Sequence, residues 1–233
     1  MTRIGIALML ALAVAAPAGS QVIQSGWGTA VVDGVLDSGE WATAAQPALQ
    51  LNLPGGGTGI GALFVMNDAT TLYIGLVAAY TGPSADLTVQ FDASGDGQTL
   101  TMGDDAIGCH SVFLTPRDQF RTALTAPNDN APGYNATIDV ECDATKDGVS
   151  TYIEISHPLD SGDGRDIAVE PLDLLPFYAQ IRLQSGSVDT FFPGPAAGDE
   201  AVLAIAAPEP TGVSSVVLGA LALVARRRRA SRR

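Results

Sequence analysis

The residues best suited to chemistry in this 233-residue chain are its carboxylates. Asp92-Ala93-Ser94-Gly95-Asp96-Gly97 puts oxygen ligands at loop positions one, three and five and a glycine at six, as an EF-hand calcium loop begins. The twelfth position, which needs a bidentate glutamate, is Gly103, so the loop is not an EF-hand. Asp104 and Asp105 follow closely. Two readings stand: a calcium set of Asp92, Ser94, Asp96, Asp104 and Asp105, or a Gly/Asp turn between strands. Asp160-Ser161-Gly162-Asp163-Gly164-Arg165-Asp166 is a second acidic loop, in which Arg165 can satisfy one carboxylate.

Catalytic constellations are missing from the sequence. There is no G-x-S-x-G elbow and no zinc motif with two histidines. His157 with Asp160 reads as a strand-end contact rather than a proton relay. Haem needs axial ligands, and His110, His157, Met66 and Met102 show no pairing. Nothing marks a carboxylate pair for glycoside hydrolysis. The chain reads as a non-enzyme.

The elements that must position these loops are strands. Ile60–Asn67 and Thr71–Ala79 alternate in hydrophobicity around an Asn67-Asp68 turn, which makes a hairpin. Leu87, Val89 and Phe91 alternate with Thr88 and Gln90. Val149, Thr151, Ile153 and Ile155 alternate with Ser150, Tyr152 and Glu154. Phe177, Ala179, Ile181 and Leu183 oppose Tyr178, Gln180, Arg182 and Gln184, one face apolar and the other wet. Val202–Ile205 is a last strand. The expected fold is all-β, an antiparallel jelly-roll-like β-sandwich over residues 21–205.

The ends read as addresses. Arg3, the apolar run from Ile4 to Ala16 and the small residues up to Ser20 have the layout of a signal peptide over residues 1–20. Residues 206–210 form a linker ending in Pro208-Glu209-Pro210. The apolar stretch 211–225 reads as a transmembrane helix that reaches about 22 Å, against about 30 Å of hydrocarbon. Residues 226–233 form an arginine-rich cytoplasmic tail. Between the two ends, Arg117, Arg121, Lys146, Arg165 and Arg182 face 25 acids, a net charge of −20. That excludes nucleic acid as a partner and offers carboxylates to calcium outside the cell.

Cys109 and Cys142 are the chain's only cysteines, and in an exported protein they form a disulfide. A hairpin of Ala106–Phe113 with Ala136–Cys142 is one way to bring them together. Its register sets Ser111 opposite Val140 and Phe113 opposite Ile138, around the polar loop Thr125–Asn135.

Pro208-Glu209-Pro210, a short apolar helix and Arg226-Arg227-Arg228-Arg229 resemble the PEP-CTERM sorting signal of Gram-negative bacteria. The resemblance covers the C-terminal end of the chain. It implies export by the Sec machinery and a transient stay in the inner membrane through the C-terminal helix. An exosortase then cuts near the Pro-Glu-Pro, and the protein goes to the cell surface or extracellular matrix. It also implies a setting of exopolysaccharide and biofilm.

Asp33-Gly34-Val35-Leu36-Asp37-Ser38-Gly39-Glu40-Trp41 resembles the opening of DOMON-like, family-nine carbohydrate-binding-module-like domains. Val65-Met66-Asn67-Asp68 with Leu72-Tyr73-Ile74-Gly75 resembles that family's central hairpin. Gln90-Phe91-Asp92 with Gly95-Asp96-Gly97, and Tyr152-Ile153-Glu154-Ile155 with Pro158-Leu159 and Asp163, resemble two later segments. The resemblance spans residues 29–205. It implies a sandwich that binds sugars, or haem in some relatives, with Trp41 in a buried structural position. A sugar ring stacks on an exposed aromatic face, and the candidates are Trp27, Tyr80, Tyr134 and Tyr178. The expected function is a non-catalytic carbohydrate-binding module with exopolysaccharide as ligand. The alternative is an acidic matrix protein held together by calcium, with no sugar site.

Overall fold

The computed structural model describes residues 21–96, 98, 101–122, 127–131, 137–184, 188–194 and 200–208. The leader expected over residues 1–20, Tyr134 and residues 209–233, which hold all of the expected sorting signal except Pro208, lie outside them. No helix among the described residues is long and apolar enough to cross a membrane.

The described residues form a sandwich of two sheets. The seven-stranded sheet contains β1 (Gln21–Gln24), β6 (Ala85–Phe91), β7 (Asp105–His110), β8 (Pro116–Phe120), β11 (Leu174–Leu183), β12 (Thr190–Phe192) and β13 (Ala201–Ala204). Its order is β1-β13-β11-β6-β7-β8, with β12 beside β13 on the same edge of β11. The six-stranded sheet contains β2 (Gly26–Trp27), β3 (Ala48–Asn52), β4 (Thr58–Asn67), β5 (Thr71–Ala78), β9 (Glu141–Lys146) and β10 (Thr151–Pro158). Its order is β2-β4-β5-β10-β9, with β3 also on β4. Pairing is antiparallel except for β1 on β13 and β2 on β4.

Alternation places the core. Leu87, Val89 and Phe91 of β6 and Phe177, Ala179 and Ile181 of β11 face Leu63 and Val65 of β4, Ile74 and Leu76 of β5, and Ile153 and Ile155 of β10. All are buried, as facing sheets with period-two patterns require. The expected β4–β5 hairpin is present, with Val65 opposite Ile74.

The cysteine hairpin is not formed, although its disulfide is. Cys109 and Cys142 are bonded with Cα atoms 5.8 Å apart, but Cys109 lies in β7 and Cys142 in β9, on different sheets. β7 is flanked by β6 and β8, so no edge is left for a strand of residues 136–142. The chain turns at Ser111–Leu114 and comes back as β8. The bridge therefore staples the two sheets of the sandwich.

The wet-face expectation also fails at Glu154, Tyr178 and Gln90, all of which are buried. Glu154 is fully buried, because residues 28–45 cover the outer side of the six-stranded sheet. Tyr178 is only 2% exposed. It packs beside Phe191 with ring centroids 6.3 Å apart.

Candidate functional site

The opening turn is a structural latch. Trp41 is buried and donates its indole N–H to Glu154 Oε1 at 2.9 Å. Glu154 Oε2 accepts the backbone N–H groups of Gly34 at 2.7 Å and Asp33 at 3.0 Å. Gly34 has φ of +81°, and a Cβ there would lie 3.0 Å from the backbone of Ala144. Only glycine suits both demands. The Glu40 carboxylate accepts the N–H of Val31. The Asp-Gly and Glu-Trp pairs thus hold the loop, and Trp41 offers no face to a ligand.

The expected calcium set divides in two. Asp92, Asp96 and Asp104 each offer an oxygen, all within 4.8 Å of one another, and Asp92 and Asp104 are buried. The loop also ties itself together. Asp92 Oδ1 accepts from Ser94 Oγ and the N–H of Asp96, and Asp104 Oδ2 accepts the N–H of Thr101 at 2.6 Å. Burial raises the Asp104 carboxyl above its ordinary value, and hydrogen bonds from Thr101 and Ser94 oppose the rise. Asp105 does not join this group. It is the inward-facing residue of its β7 pair and groups instead with His157 and Asp166. His157 likewise faces Asp118 and Asp166 rather than Asp160. Asp160 lies in a bridge to Ala168.

The described aromatic candidates lie on separate elements: Trp27 in β2, Tyr80 after β5 and Tyr178 in β11. Trp27 is half-buried in β2. Tyr80, also half-buried, follows β5 and reaches Gln184 Oε1 at 3.5 Å. Burial pushes the Tyr178 hydroxyl up to about 12, so it stays protonated at neutral pH.

A surface that residue types alone did not single out is the outer face of the seven-stranded sheet. Its strand register lines up polar side chains in rows. Gln180 lies opposite Thr88, Thr88 opposite Gly108, and Gly108 opposite Arg117. Tyr178, Gln90, Ala106 and Gln119 make the next row. The middle of the first row is small, Thr88 and Gly108, which leaves a trough there between the β8 and β11 side chains; the second row is covered, with Tyr178, Gln90 and Ala106 buried. A Cβ on Gly108 would lie 3.0 Å from the Arg117 guanidinium, which needs that clearance.

Ion pairs fix the walls of the trough. Arg117 of β8 reaches over Gly108 of β7 to pair with Asp86 of β6. Arg182 makes two bonds to the Asp189 carboxylate, at 2.6 and 2.7 Å. Gln180 bonds the same carboxylate, and Arg121 reaches Gln90 Oε1 at 3.4 Å. The Arg182 hydrogen bond holds Asp189 below its ordinary value against burial. A hollow of about 60 Å³ lies between Asp86, Thr88, Arg117, Gln180 and Arg182. Beside it, half-buried Phe191 helps line a groove of about 290 Å³ with Gln50, Asn52, Thr190 and Gly194. Three of the five bases between the two ends of the chain, Arg117, Arg121 and Arg182, stand on this face. Guanidinium, amide and carboxylate groups fixed in one plane can both donate to and accept from neighbouring hydroxyls. Phe191 adds an apolar ring at the margin.

A larger hollow, about 460 Å³, lies on the other sheet between Ala30, Val31, Tyr73, Glu141 and Ser156. The Tyr73 ring there is buried, and its hydroxyl is committed to Asp68 at 2.9 Å. Burial and Asp68 push that hydroxyl up to about 12.

No family model and no curated protein matches this chain. Solved structures do. A family-nine carbohydrate-binding module from Caldicellulosiruptor kristjanssonii, in complex with cellotriose, matches with TM-score 0.54 and 12% identity. The match covers 82% of this chain and 97% of that one. The same kind of module in complex with glucose matches with TM-score 0.51 and 14% identity, over 82% of this chain and all of that one. A putative carbohydrate-binding protein from Bacteroides uniformis matches with TM-score 0.53 and 8% identity, over 80% of this chain and all of that one. The fold is that of these carbohydrate-binding modules.

Proposed function

We propose that this chain is an exported, non-catalytic carbohydrate-binding module that acts at the cell surface or in an extracellular matrix. The observation that carries the reading is the outer trough of the seven-stranded sheet, on a fold like that of sugar-binding modules. In a chain this acidic, three arginines fixed on one face beside Thr88, Gln119 and Gln180 make a place where hydroxyl-rich chains can bind. The pattern of donors and acceptors suits an exopolysaccharide, and Phe191 supplies an aromatic ring against which a pyranose can pack. The PEP-CTERM-like end supports Sec export, transient inner-membrane anchoring and exosortase processing, with the domain left outside the cell.

The Asp92–Asp96–Asp104 group favours a second reading, an acidic matrix protein held together by calcium. Every described strand lies within residues 21–204, so the oxidised fragment 21–207 can be screened on a glycan and polysaccharide array in calcium and again in EDTA. Binding to a defined glycan in both buffers supports the first reading. Loss of that binding in Arg117→Met and Phe191→Ala locates it on the trough, and Trp27→Ala and Tyr80→Ala test the other rings. No binding in either buffer sinks the module reading.

A further inference from the structure

The most unusual chemistry in the molecule is inside the sandwich. Along β7 and β10 the inward-facing residues run Asp105, Ile107, Cys109 and Ile153, Ile155, His157. The register of β8 sets Asp118 opposite Ile107, on the same inward face. At one end of the core, three positions that alternation assigns to apolar side chains therefore carry Asp105, Asp118 and His157. Loops before β9 and after β10 add Asp129 and Asp166. All five are buried, and Asp105, Asp118, Asp129 and His157 are 0% exposed.

These groups do not satisfy one another. Among the described residues, Asp105 Oδ1, Asp118 Oδ1, His157 Nε2 and both oxygens of Asp129 and Asp166 make no hydrogen bond. Yet they converge. His157 Nε2 stands 3.7 Å from Asp166 Oδ2 and 4.0 Å from Asp118 Oδ1. One ligand atom each from Asp105, His157 and Asp166, and likewise from Asp118, Asp129 and Asp166, lie within 4.8 Å of one another. Donor atoms around one ion with bonds of about 2.1–2.4 Å stand roughly 3–4.8 Å apart.

The supporting contacts orient these atoms as metal ligands. His157 Nδ1 lies 2.6 Å from the carbonyl oxygen of Pro158. A carbonyl can only accept, so Nδ1 carries a proton; Nε2 is left facing the carboxylates and can give its lone pair to a cation that displaces any proton there. Asp118 Oδ2 accepts the N–H of Asp139 at 2.7 Å, and Asp105 Oδ2 accepts that of Ile167 at 3.3 Å. Each carboxylate so held keeps its other oxygen for the shared space. One imidazole, even protonated, leaves four buried carboxylates with excess negative charge. Taking four carboxylates out of water is costly, and a cation at the centre would offset that cost.

We propose that His157 Nε2 and the carboxylates of Asp105, Asp118, Asp129 and Asp166 bind one divalent cation between the two sheets. The single imidazole among oxygens suits Mn²⁺ or Zn²⁺ better than Ca²⁺, which favours all-oxygen sets. Half-buried Asp139 and Asp163 group with Asp166 toward the surface and mark the entry path. The ion joins β7, β8 and β10, and so ties the two sheets at the end of the core. It lies inside the sandwich, apart from the outer trough, so sugar binding can fail while this site stands.

The test is metal content and metal-dependent stability of the oxidised fragment 21–207. The protein is analysed for metals as isolated, stripped with EDTA, and titrated with Mn²⁺, Zn²⁺ and Ca²⁺ while its melting temperature is followed. We expect close to one equivalent of a divalent ion held in the core and a melting temperature several degrees higher with it than without. We expect His157→Gln and Asp129→Asn to weaken binding at least tenfold, and Asp147→Asn, at an exposed turn, to leave it unchanged. In ¹⁵N-imidazole spectra, Zn²⁺ should shift His157 Nε2 and leave His110 unmoved. Preference for Ca²⁺ with the same His157 response would keep the site and correct the ion. Absence of metal as isolated, with no shift from any of the three ions in the unsubstituted fragment, overturns the proposal, as does binding that leaves His157 Nε2 unmoved. Those two readouts do not depend on the variants folding.

Discussion

Trp41 donates its indole N–H to Glu154 at 2.9 Å, which joins the opening loop to β10 across 113 positions of sequence. The same carboxylate closes the Asp33-Gly34 turn, so a single buried group satisfies three donors. Glu154→Gln keeps the shape but turns an NH₂ toward at least one N–H. The expected cost is about 2–3 kcal/mol, or a melting temperature roughly 4–10 °C lower. Burial raises the Glu154 carboxyl above its ordinary value, against the three hydrogen bonds. A group raised on folding contributes stability below its unfolded pKa, about 4.3, and loses it as pH rises through the folded value. Melting curves of wild type and Glu154→Gln from pH 4 to pH 8 check both the cost and its sign. Equal stability of the two proteins would refute the latch.

The Cys109–Cys142 bridge spans the two sheets and a sequence separation of 33. On the chain-entropy model its removal should cost roughly 3–4 kcal/mol. The double variant Cys109→Ser with Cys142→Ser should therefore unfold at markedly lower denaturant. Because the bridge restricts the unfolded chain, its loss should also steepen the denaturation curve, as the unfolded state expands and exposes more surface. Far-ultraviolet circular dichroism should still show β structure in the folded baseline.

Asp189 anchors the β11 wall of the trough through Arg182 and Gln180. Its carboxyl is lowered chiefly by the Arg182 hydrogen bond. Its contribution is therefore present above the unfolded pKa, about 3.9, and is lost as pH falls through the folded value. Arg182 is half-exposed, so solvent screening keeps the pair's worth to less than about 1 kcal/mol. Asp189→Asn should barely move stability at pH 7. It should weaken glycan binding several-fold, because it frees both Arg182 and Gln180. Titration calorimetry with the glycan found on the array measures this.

Phe191 is the half-buried ring that the register places beside the trough. If sugars bind there, Phe191→Ala should lower affinity roughly three- to tenfold. Wild-type affinity in that variant would move the site elsewhere on the sandwich.

The C-terminal signal makes a cellular prediction. Removal of residues 208–233 should leave the domain soluble in the periplasm or the medium. The full chain should be found at the surface or in the matrix only when an exosortase is present. Cell fractionation with an antibody to the domain distinguishes these outcomes.

Several features were legible before the fold because they depend on near neighbours. Leu87-Val89-Phe91 and Phe177-Ala179-Ile181 read directly as inward faces, since side chains alternate along any strand. Asp33-Gly34 and Trp41 read as a turn and its buried anchor. The disulfide was also legible, from two cysteines in a chain whose leader-like N-terminus led us to expect export. The hairpin drawn around it was not, because two cysteines can meet across a sandwich as readily as across a ladder. Asp105 was grouped with Asp92 by proximity in sequence. Asp105 opens β7 and faces inward, whereas Asp104 precedes the strand and stays with Asp92 and Asp96, so the tertiary structure separates them.

Strand positions, the acidic and base-poor character of residues 21–210 and the address-like patterns of both ends could be read from the residues alone. These follow from local periodicity and composition. Only the tertiary structure decided which strands share an edge, and with it the row of Gln180, Thr88, Gly108 and Arg117. It alone brought Asp105, Asp118, Asp129, His157 and Asp166 to one end of the core. The reason is physical: strand pairing and sheet packing are long-range choices, made by burying whole faces together. No short window of sequence carries that information.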